Sequence, residues 1–300
     1  MRELQEEALA QQFPVRFSRA ATNGIELHIA EAGPEDGPLL FLLHGFPEFW
    51  YCWRNQISAL AESGFHVIAP DQRGYNLSDK PQGINRYHLD DLAADIVGLA
   101  DRLRREQFSV AGHDWGAGVA WWLAQKYPAR VSRLAILNAP HPAVWIHAMR
   151  HNPVQRKKSR YVRILQLPWL PEFLVSAGNY NGLAKAFASC SRKDAFSKED
   201  LALYRAAWRQ PKAITSMINW YRAILQQPPS LTPEIRITPP CLLTWGKHDA
   251  YAEPVLAEES ASLCVNPRLE YLEQATHWVQ HDEPERVASL LISFFKINEK

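Results

Sequence analysis

The segment 111–116, Ala-Gly-His-Asp-Trp-Gly, places an acidic side chain between two glycines at the end of a predicted strand. The apolar run Phe108–Gly112 predicts the strand and the pattern over Trp115–Tyr127 predicts a helix, so the turn between them has the form Gly-x-nucleophile-x-Gly. Such a turn is tight and strained, and small residues must flank the side chain that it projects. The projected residue is Asp114, whose carboxylate is ionised at neutral pH because the ordinary pKa is about 4. The pattern predicts a nucleophile that attacks a saturated electrophilic carbon and forms an ester on the protein.

Two other interpretations of this segment are compatible with the residues alone. Gly112, Gly116 and Gly118 could form a phosphate cradle at the start of the helix, although an acidic residue at its apex would repel the anion. Asp114 could also be an ordinary helix N-cap, which would leave the surrounding glycines unexplained. Only the nucleophile interpretation accounts for both the acid and the glycines.

An ester on the protein must be hydrolysed, and this step requires a base that a second acid orients. Asp249 follows the predicted strand Cys241–Trp245, and His277 follows the predicted strand Leu269–Leu272. Both residues are therefore expected at C-terminal strand ends, where the sites of open parallel sheets form. The chain order of nucleophile, acid and histidine is that of the α/β-hydrolase fold. We expect Asp249 to orient His277 and His277 to activate water.

The spacing of four residues between His277 and His281 could instead indicate a metal pair on a helix. No glutamate lies between the two histidines and no third ligand is evident, so we expect no metal. His113 and His248 are interpreted as packing or supporting histidines.

The predicted strand Leu39–Leu43 runs directly into His-Gly-Phe-Pro at 44–47. In this fold the corresponding loop supplies one backbone N–H of an oxyanion hole, and the residue after the nucleophile supplies the other. The two donors are then the N–H groups of Phe46 and Trp115. The glycine and proline also suit a tight turn, and the two interpretations are compatible.

The elements that must position these residues alternate between strands and helices on either side of a long interruption. The chain begins with a predicted hairpin, and strand–helix alternation continues to residue 137. Residues 141–228 show helical patterns broken by prolines, and alternation resumes at residue 241. The pattern predicts an α/β core of residues 1–140 and 229–300 with a mostly parallel sheet, and a helical cap of residues 141–228 inserted over the site.

Composition indicates a soluble protein with a sizeable core. Of the 300 residues, 47% are hydrophobic, and 33 Lys and Arg against 32 Asp and Glu give a net charge of +1, which provides no global attraction to nucleic acid or membranes. The N-terminal segment lacks the apolar stretch of a signal peptide, and no apolar run is long enough to span a bilayer. Four scattered cysteines without a Cys-x-x-Cys pair indicate a reducing compartment. We expect a cytoplasmic monomer or homodimer.

Together the motifs resemble those of the epoxide hydrolases of the α/β-hydrolase fold, a fold with an eight-stranded sheet. The matching segments keep the family's order over most of the chain: HGFPE at 44–48, DQRGY at 71–75, GHDWGA at 112–117, WGKHD at 245–249 and THW at 276–278. The family also carries two cap tyrosines that hold the epoxide oxygen, and the resemblance implies Tyr161 and Tyr221. Either tyrosine could be an ordinary amphipathic cap residue, in which case Tyr180 and Tyr204 are the next candidates.

The resemblance implies a mechanism that needs no cofactor and no metal. Tyr161 and Tyr221 would donate hydrogen bonds to the ring oxygen while Asp114 attacks a ring carbon and becomes an ester. His277, oriented by Asp249, would activate the water that hydrolyses this ester, while the two backbone N–H groups hold the oxyanion. A vicinal diol would then leave.

Two alternative functions fit parts of the same pattern. A haloalkane dehalogenase uses the same nucleophile, base and acid, but it must also bind a halide with side-chain N–H donors, and Phe46 has none. A non-catalytic ligand-binding protein on this fold often lacks a triad residue, whereas all three are present here. The basic run Arg156–Arg160 could contact nucleic acid or anionic lipid, although runs this short are usually solvated helix faces. The expected partner is a small-molecule epoxide, with no nucleic acid and no membrane-spanning segment.

Overall fold

The computed structural model describes residues 2–193, 195–229 and 234–296, which contain an eight-stranded sheet. In chain order the strands are β1 (Arg16–Thr22), β2 (Ile25–Ala32), β3 (Leu39–Leu43), β4 (His66–Pro70), β5 (Phe108–His113), β6 (Val131–Leu137), β7 (Cys241–Gly246) and β8 (Pro267–Leu272). Their order across the sheet is β1-β2-β4-β3-β5-β6-β7-β8. The pairs β1–β2 and β2–β4 are antiparallel and the other five are parallel, which confirms the predicted mostly parallel sheet.

One helix comes before the first strand, others pack on the sheet, and a run of helices is inserted between β6 and β7. In chain order they are α1 (Arg2–Gln12), α2 (Arg54–Glu62), α3 (Leu89–Arg102), α4 (Trp115–Lys126), α5 (Pro142–His151), α6 (Pro153–Lys158), α7 (Tyr161–Leu165), α8 (Leu170–Ser189), α9 (Lys198–Trp208), α10 (Ala213–Gln226), α11 (Val255–Ala261), α12 (Val279–Asp282) and α13 (Pro284–Phe295). Two short 3₁₀ helices lie at Trp50–Trp53 and Ile84–Arg86. The six helices α5–α10 all fall between β6 and β7, where the sequence predicts an inserted helical segment. None of the described helices is long and apolar enough to cross a membrane.

The central strands form the core because helices cover both faces of a parallel sheet. Every residue of β3, β4, β5 and β7 is buried, which explains why these strands read as continuous apolar runs rather than as alternating patterns. Their C-terminal ends meet at one edge of the sheet, and the loops that follow them carry the residues of the site.

The inserted helices are fastened to the core by buried polar contacts. On α9, the Tyr204 hydroxyl donates to Glu48 at 2.9 Å and the Trp208 indole donates to the Pro47 carbonyl at 2.6 Å. On α10, the Trp220 indole donates to the Arg73 carbonyl at 3.1 Å. The helices α9 and α10 therefore have fixed positions above the C-terminal edge of the sheet.

Candidate active site

Asp114 stands at the turn between β5 and α4 in a strained backbone conformation, with φ 51° and ψ −120°. Non-glycine residues rarely adopt positive φ, so the surrounding structure must enforce this geometry. A Cβ atom at Gly116 would overlap the carbonyl oxygen of Leu43, and one at Gly45 would overlap the Asp114 side chain. The glycines around the acid are therefore required by close backbone approach, and the turn aims the carboxylate away from the sheet.

The two carboxylate oxygens of Asp114 have different neighbours. Oδ1 accepts a hydrogen bond from the backbone N–H of Phe46 at 2.7 Å, and Oδ2 lies 3.6 Å from Nε2 of His277. Trp115 is the first residue of α4, where a backbone N–H has no acceptor within the helix. One oxygen is thus held by a backbone donor, while the other faces the histidine.

Asp249 and His277 come together from two separate loops. Nδ1 of His277 bonds to Oδ2 of Asp249 at 2.8 Å, so Nε2 is the nitrogen that faces Asp114. Asp249 is held in turn by the backbone N–H groups of Tyr251 at 2.7 Å and Ala252 at 2.9 Å, which donate to its Oδ1. The acid is fully buried and cannot rotate without losing several hydrogen bonds, so it fixes the orientation of the imidazole.

The electrostatics of this trio follow from charges that face one another in a buried place. Burial alone would lower the pKa of His277, but the charges and hydrogen bonds of Asp249 and Asp114 outweigh it and raise the pKa to about 10. Burial would raise the pKa of Asp249, but His277 and the hydrogen bonds to the carboxylate hold it below the ordinary value. An imidazolium between two carboxylates is therefore the stable state of the free site.

Tyr161 on α7 and Tyr221 on α10 face the same space from the opposite side. Their ring centroids lie 5.9 Å apart, and the Trp115 ring centroid lies 5.1 Å from that of Tyr221. Burial and the negative charge of Asp114 raise the pKa of both phenols well above 10. Both hydroxyls are therefore protonated at neutral pH and can act as hydrogen-bond donors.

A cavity that is partly open to solvent lies between the tyrosines and the carboxylate. Its lining comes from the elbow, from the inserted helices and from the loop after β7: Asp114, Trp115, Gly118, Asn138, Ala139, Pro140, Pro142, Trp145, Ser159, Tyr161, Tyr221, Ile224, Tyr251 and Ala252. The walls are mainly apolar and aromatic, and the polar groups are few. This is the usual form of a site for a small apolar molecule.

The structure adds two cavity residues that the sequence motifs did not indicate. Asn138, at the end of β6, donates to Oδ2 of Asp249 at 2.7 Å and accepts from the backbone N–H of Gly246 at 3.0 Å. The Tyr251 ring lies 5.1 Å from the His277 ring and 5.8 Å from the Tyr161 ring. Asn138 follows a strand end, as Asp249 does, and this position is the signal that could have identified it.

Behind the site lies a buried polar cluster around Glu48, the last residue of the HGFPE motif. Its carboxylate bonds to ring nitrogens of His113 and His281, at 3.1 and 2.7 Å, and to the Gln280 amide at 3.0 Å. The other ring nitrogen of His113 bonds to the His277 carbonyl at 2.9 Å. Burial would raise the pKa of Glu48, but the two histidines hold it well below the ordinary value. The cluster fixes the backbone that carries His277.

Three residues that the sequence left as alternatives lie elsewhere. Tyr204 bonds to Glu48, the Tyr180 ring contacts that of Trp208 at 6.1 Å, and neither lines the cavity described above. His281 and His277 bond to different carboxylates, Glu48 and Asp249, rather than converging on one point.

Residues 38–284 match the family model of the alpha/beta hydrolase fold. The chain is 45% identical over 275 residues to the AB hydrolase superfamily protein YfhM of Bacillus subtilis, a match that covers 92% of this chain and 96% of that protein. It is 38% identical to Epoxide hydrolase 4 of Homo sapiens, over 93% of this chain and 78% of that protein. Among solved structures, the epoxide hydrolase of Bacillus megaterium in complex with an inhibitor aligns with a TM-score of 0.86 at 30% identity, covering 93% of this chain and 100% of that chain.

Proposed function

The chain belongs to the epoxide hydrolases of the α/β-hydrolase fold, and from that premise we propose that it opens epoxides through a covalent ester on Asp114. The observation that carries this proposal is the unequal environment of the two Asp114 oxygens. Oδ1 is held by the Phe46 N–H, whereas Oδ2 faces the cavity side of the His277 ring. Oδ2 is therefore the attacking atom, and Oδ1 becomes the carbonyl oxygen of the ester.

In the first half-reaction a C–O bond of the epoxide breaks as Asp114 Oδ2 bonds to the ring carbon. The ring oxygen develops negative charge, and the hydroxyls of Tyr161 and Tyr221 supply the hydrogen bonds that stabilise it. Because both phenols are neutral, with Tyr221 buried and Tyr161 half-buried, their donors need little reorganisation at the moment of reaction. The oxygen leaves this step as the hydroxyl of the covalent intermediate.

Formation of the ester also prepares the base for the second half-reaction. The free site holds His277 as an imidazolium because two carboxylates raise its pKa to about 10. The ester carries no charge, so one of these two carboxylates is lost and the pKa of His277 falls. The proton that His277 releases balances the proton that the opened oxygen acquires, and neutral Nε2 is then available to take a proton from water.

Hydrolysis then occurs at the ester carbon. Water attacks Cγ of Asp114 while Nε2 of His277 accepts its proton, and Asp249 stabilises the imidazolium that forms. The negative charge of the tetrahedral intermediate develops on Oδ1, where the Phe46 N–H already lies at 2.7 Å. We assign the N–H of Trp115 as the second donor. Collapse of the intermediate breaks the bond between Cγ and Oδ2, so the diol leaves with Oδ2 and takes the second proton of the attacking water, while the water oxygen stays on the Asp114 carboxylate.

The donors around the cavity argue against halide release as the main reaction. A dehalogenase needs two side-chain N–H donors directed at the departing anion, and here the Trp115 ring packs edge-to-face against Tyr221, with ring centroids 5.1 Å apart. Phe46 offers no side-chain donor at the second position. The site therefore provides hydroxyl donors for an alkoxide rather than N–H donors for a halide.

We assign residues 141–228 as the cap that closes the cavity over the core of residues 1–140 and 229–300. The support is that α7 and α10 contribute Tyr161 and Tyr221 to the cavity wall. We also propose a cytoplasmic location, which the four unpaired cysteines support, and a monomer or homodimer. Fractionation of cells and sedimentation of the purified protein test the location and the oligomeric state.

The proposal is tested by trapping the ester. His277→Gln should still be alkylated, because ring opening needs no base, but it should not turn over. Incubation with excess styrene oxide should therefore add the mass of one substrate to the intact protein. The matched variant His277→Gln/Asp114→Ala should show no increase in mass.

Wild-type protein in heavy-oxygen water gives an independent measurement. During a single turnover the label should enter Asp114 before it enters the diol. Label that appears directly in the diol, with an unmodified His277→Gln protein, would show that water attacks the epoxide and that Asp114 is not the nucleophile.

A further inference from the structure

The outer surface of α7 and the start of α8 expose large apolar side chains to solvent. The exposed fraction is 72% for Trp169 and 65% for Phe173. Among the residues that the structure describes, Trp169 is the one tryptophan that is mostly exposed, since the other ten are buried or half-buried. We use the term outer patch for five exposed residues: Ile164, Leu167, Trp169, Phe173 and Leu174. Large apolar side chains exposed this close together in the chain indicate a site of interaction.

A single buried guanidinium holds the outer patch together as one surface. Arg222 on α10 donates to the carbonyls of Leu165 at 3.0 Å and Leu167 at 2.6 Å, and it forms a paired contact with the Glu172 carboxylate at 2.7 and 3.1 Å. The end of α7, the connecting turn and the start of α8 are therefore fixed around one charged group. The exposed side chains therefore project from a segment that hydrogen bonds and an ion pair hold in place.

The segment of the chain that carries the outer patch is strongly basic. Residues 141–193 contain nine Lys and Arg and one acidic residue, Glu172, although the whole chain has a net charge of only +1. Glu172 is neutralised by Arg222. The basic run that the sequence singled out, Arg156–Arg160, lies immediately before α7. Arg163 and Ile164 are exposed on α7, and Arg160 and Leu167 are exposed just before and just after it, so two cations and two apolar side chains face solvent within eight residues.

We propose that the outer patch docks onto the surface of an anionic lipid bilayer. Aromatic and aliphatic side chains enter the interface between headgroups and acyl chains, while neighbouring Lys and Arg side chains contact anionic headgroups. A symmetric contact between two copies would place these cations against one another, which disfavours a second copy of this chain. Nucleic acid would pair with the cations but would leave the apolar side chains in water.

This surface lies on the reverse side of the cavity wall. On α7, Tyr161 faces the cavity, whereas Arg163 and Ile164 face solvent. A bilayer in contact with the outer patch would therefore lie against the same helix that contributes a wall of the site. Apolar molecules dissolved in the bilayer would be concentrated next to this helix. The docking surface is independent of the proposed chemistry, because it includes none of the residues assigned to catalysis.

Binding to vesicles of stated composition tests the proposal. The wild-type protein should sediment with vesicles of equimolar phosphatidylcholine and phosphatidylglycerol, and much less with phosphatidylcholine alone. Because each Lys or Arg near such a surface contributes about fivefold, Arg160→Glu/Arg163→Glu should weaken binding by about 25-fold or more. Trp169→Ala/Phe173→Ala should also weaken it. The control Arg102→Glu/Arg104→Glu changes the same charge at the end of α3 and should bind as the wild type does.

The difference in tryptophan fluorescence between otherwise identical proteins with and without Trp169→Ala isolates the signal of Trp169. Iodide should quench this difference signal in solution, and anionic vesicles should protect it in the wild-type background but not in the charge-reversed background. The proposal would be overturned if the wild type and the patch variants bound anionic vesicles equally, or if the vesicles bound without protecting Trp169 from iodide. A concentration-dependent dimer that Trp169→Ala/Phe173→Ala abolishes, without vesicle binding, would assign the outer patch to a second copy instead. All variants should hydrolyse a water-soluble epoxide at the wild-type rate, which separates loss of docking from loss of the proposed chemistry.

Discussion

Replacement of Glu48 by glutamine should strongly destabilise the protein although it changes only one atom of the side chain. Oε1 accepts from Tyr204 and His281, and Oε2 accepts from His113 and Gln280. Each oxygen thus faces two donors. In Glu48→Gln an amide nitrogen replaces one of these two oxygens. This nitrogen donates and cannot accept, so the two buried donors that faced the oxygen lose their acceptor.

The expected loss can be worked out from these contacts. Nδ1 of His281 accepts from the Arg54 guanidinium, which is always a donor, at 3.1 Å, so its Nε2 must carry the proton that Glu48 accepts. Both ring nitrogens of His113 lie at hydrogen-bond distance from acceptors, Glu48 and the His277 carbonyl. Each buried donor that loses its acceptor costs about 1–3 kcal/mol, and two donors lose theirs in the variant. We expect the free energy of unfolding of Glu48→Gln to fall by about 2–6 kcal/mol at neutral pH.

Urea denaturation gives the measurement, with exposed Glu106→Gln as the control that should stay within about 0.5 kcal/mol of the wild type. Tyr204→Phe alone should cost about 1–2 kcal/mol, and less when Glu48 is already glutamine, because its acceptor is then impaired. The pKa of Glu48 is lowered in the folded state, so its stabilisation is present above the ordinary carboxyl pKa of 4.5 and is lost as the pH falls below it. The difference between wild type and variant should therefore shrink in acid. A Glu48→Gln protein within about 1 kcal/mol of the wild type would refute this account of the cluster.

Three further outcomes follow from the site. Tyr161→Phe and Tyr221→Phe should each raise the activation free energy of ester formation by less than the ~2–4 kcal/mol that a sole donor contributes. The double variant should be nearly inactive when alkylation of Asp114 is followed by rapid mixing. A double variant that is no slower than Tyr221→Phe would show that Tyr161 is a packing residue. Asp249→Asn should slow hydrolysis of the ester far more than its formation, so the alkylated protein should accumulate in quenched samples; equal slowing of both steps would contradict the orienting role. The pKa of His277 rises from 6.5 to about 10 on folding, so the contribution of His277 to the free energy of unfolding is complete below about pH 6.5 and is lost as the pH rises to about 10. His277→Gln should remove this part of the pH dependence when stability is measured in urea. Curves of stability against pH that run parallel for the two proteins would disprove the prediction.

The sequence predicts the fold well wherever local pattern and tertiary environment agree. The run Leu39–Leu43 has the bounds of β3 because a strand that is buried on both faces must be apolar throughout. The elbow at Asp114 is predictable because close packing permits only glycine at its flanks. The interior of α8 is not predictable in this way. Residues Ala177–Tyr180 leave the helical conformation, and three of them have positive φ, although the segment contains no proline to announce the break.

The sequence predicts candidate site residues where the chemistry requires a reactive side chain. It predicts them less well where a residue only holds other residues of the site in place. Asp114, Asp249 and His277 could be proposed from residue type and position at strand ends. Asn138 could not, because its amide is unreactive and its importance lies in bonds to segments more than a hundred residues away. Tyr251 enters the cavity because of the path of its loop, which no local pattern specifies.

The anchoring of α9 and α10 has a consequence for how the molecule opens. Tyr204 and Trp208 bond to Glu48 and Pro47, so α9 cannot detach without exposing a carboxylate buried in the core. The inserted segment should therefore melt together with the sheet, in a single calorimetric transition, rather than as a separate unit. Molecules that enter or leave the cavity must then do so through local fluctuations of the helices, since a rigid swing of all six would require much of the unfolding free energy.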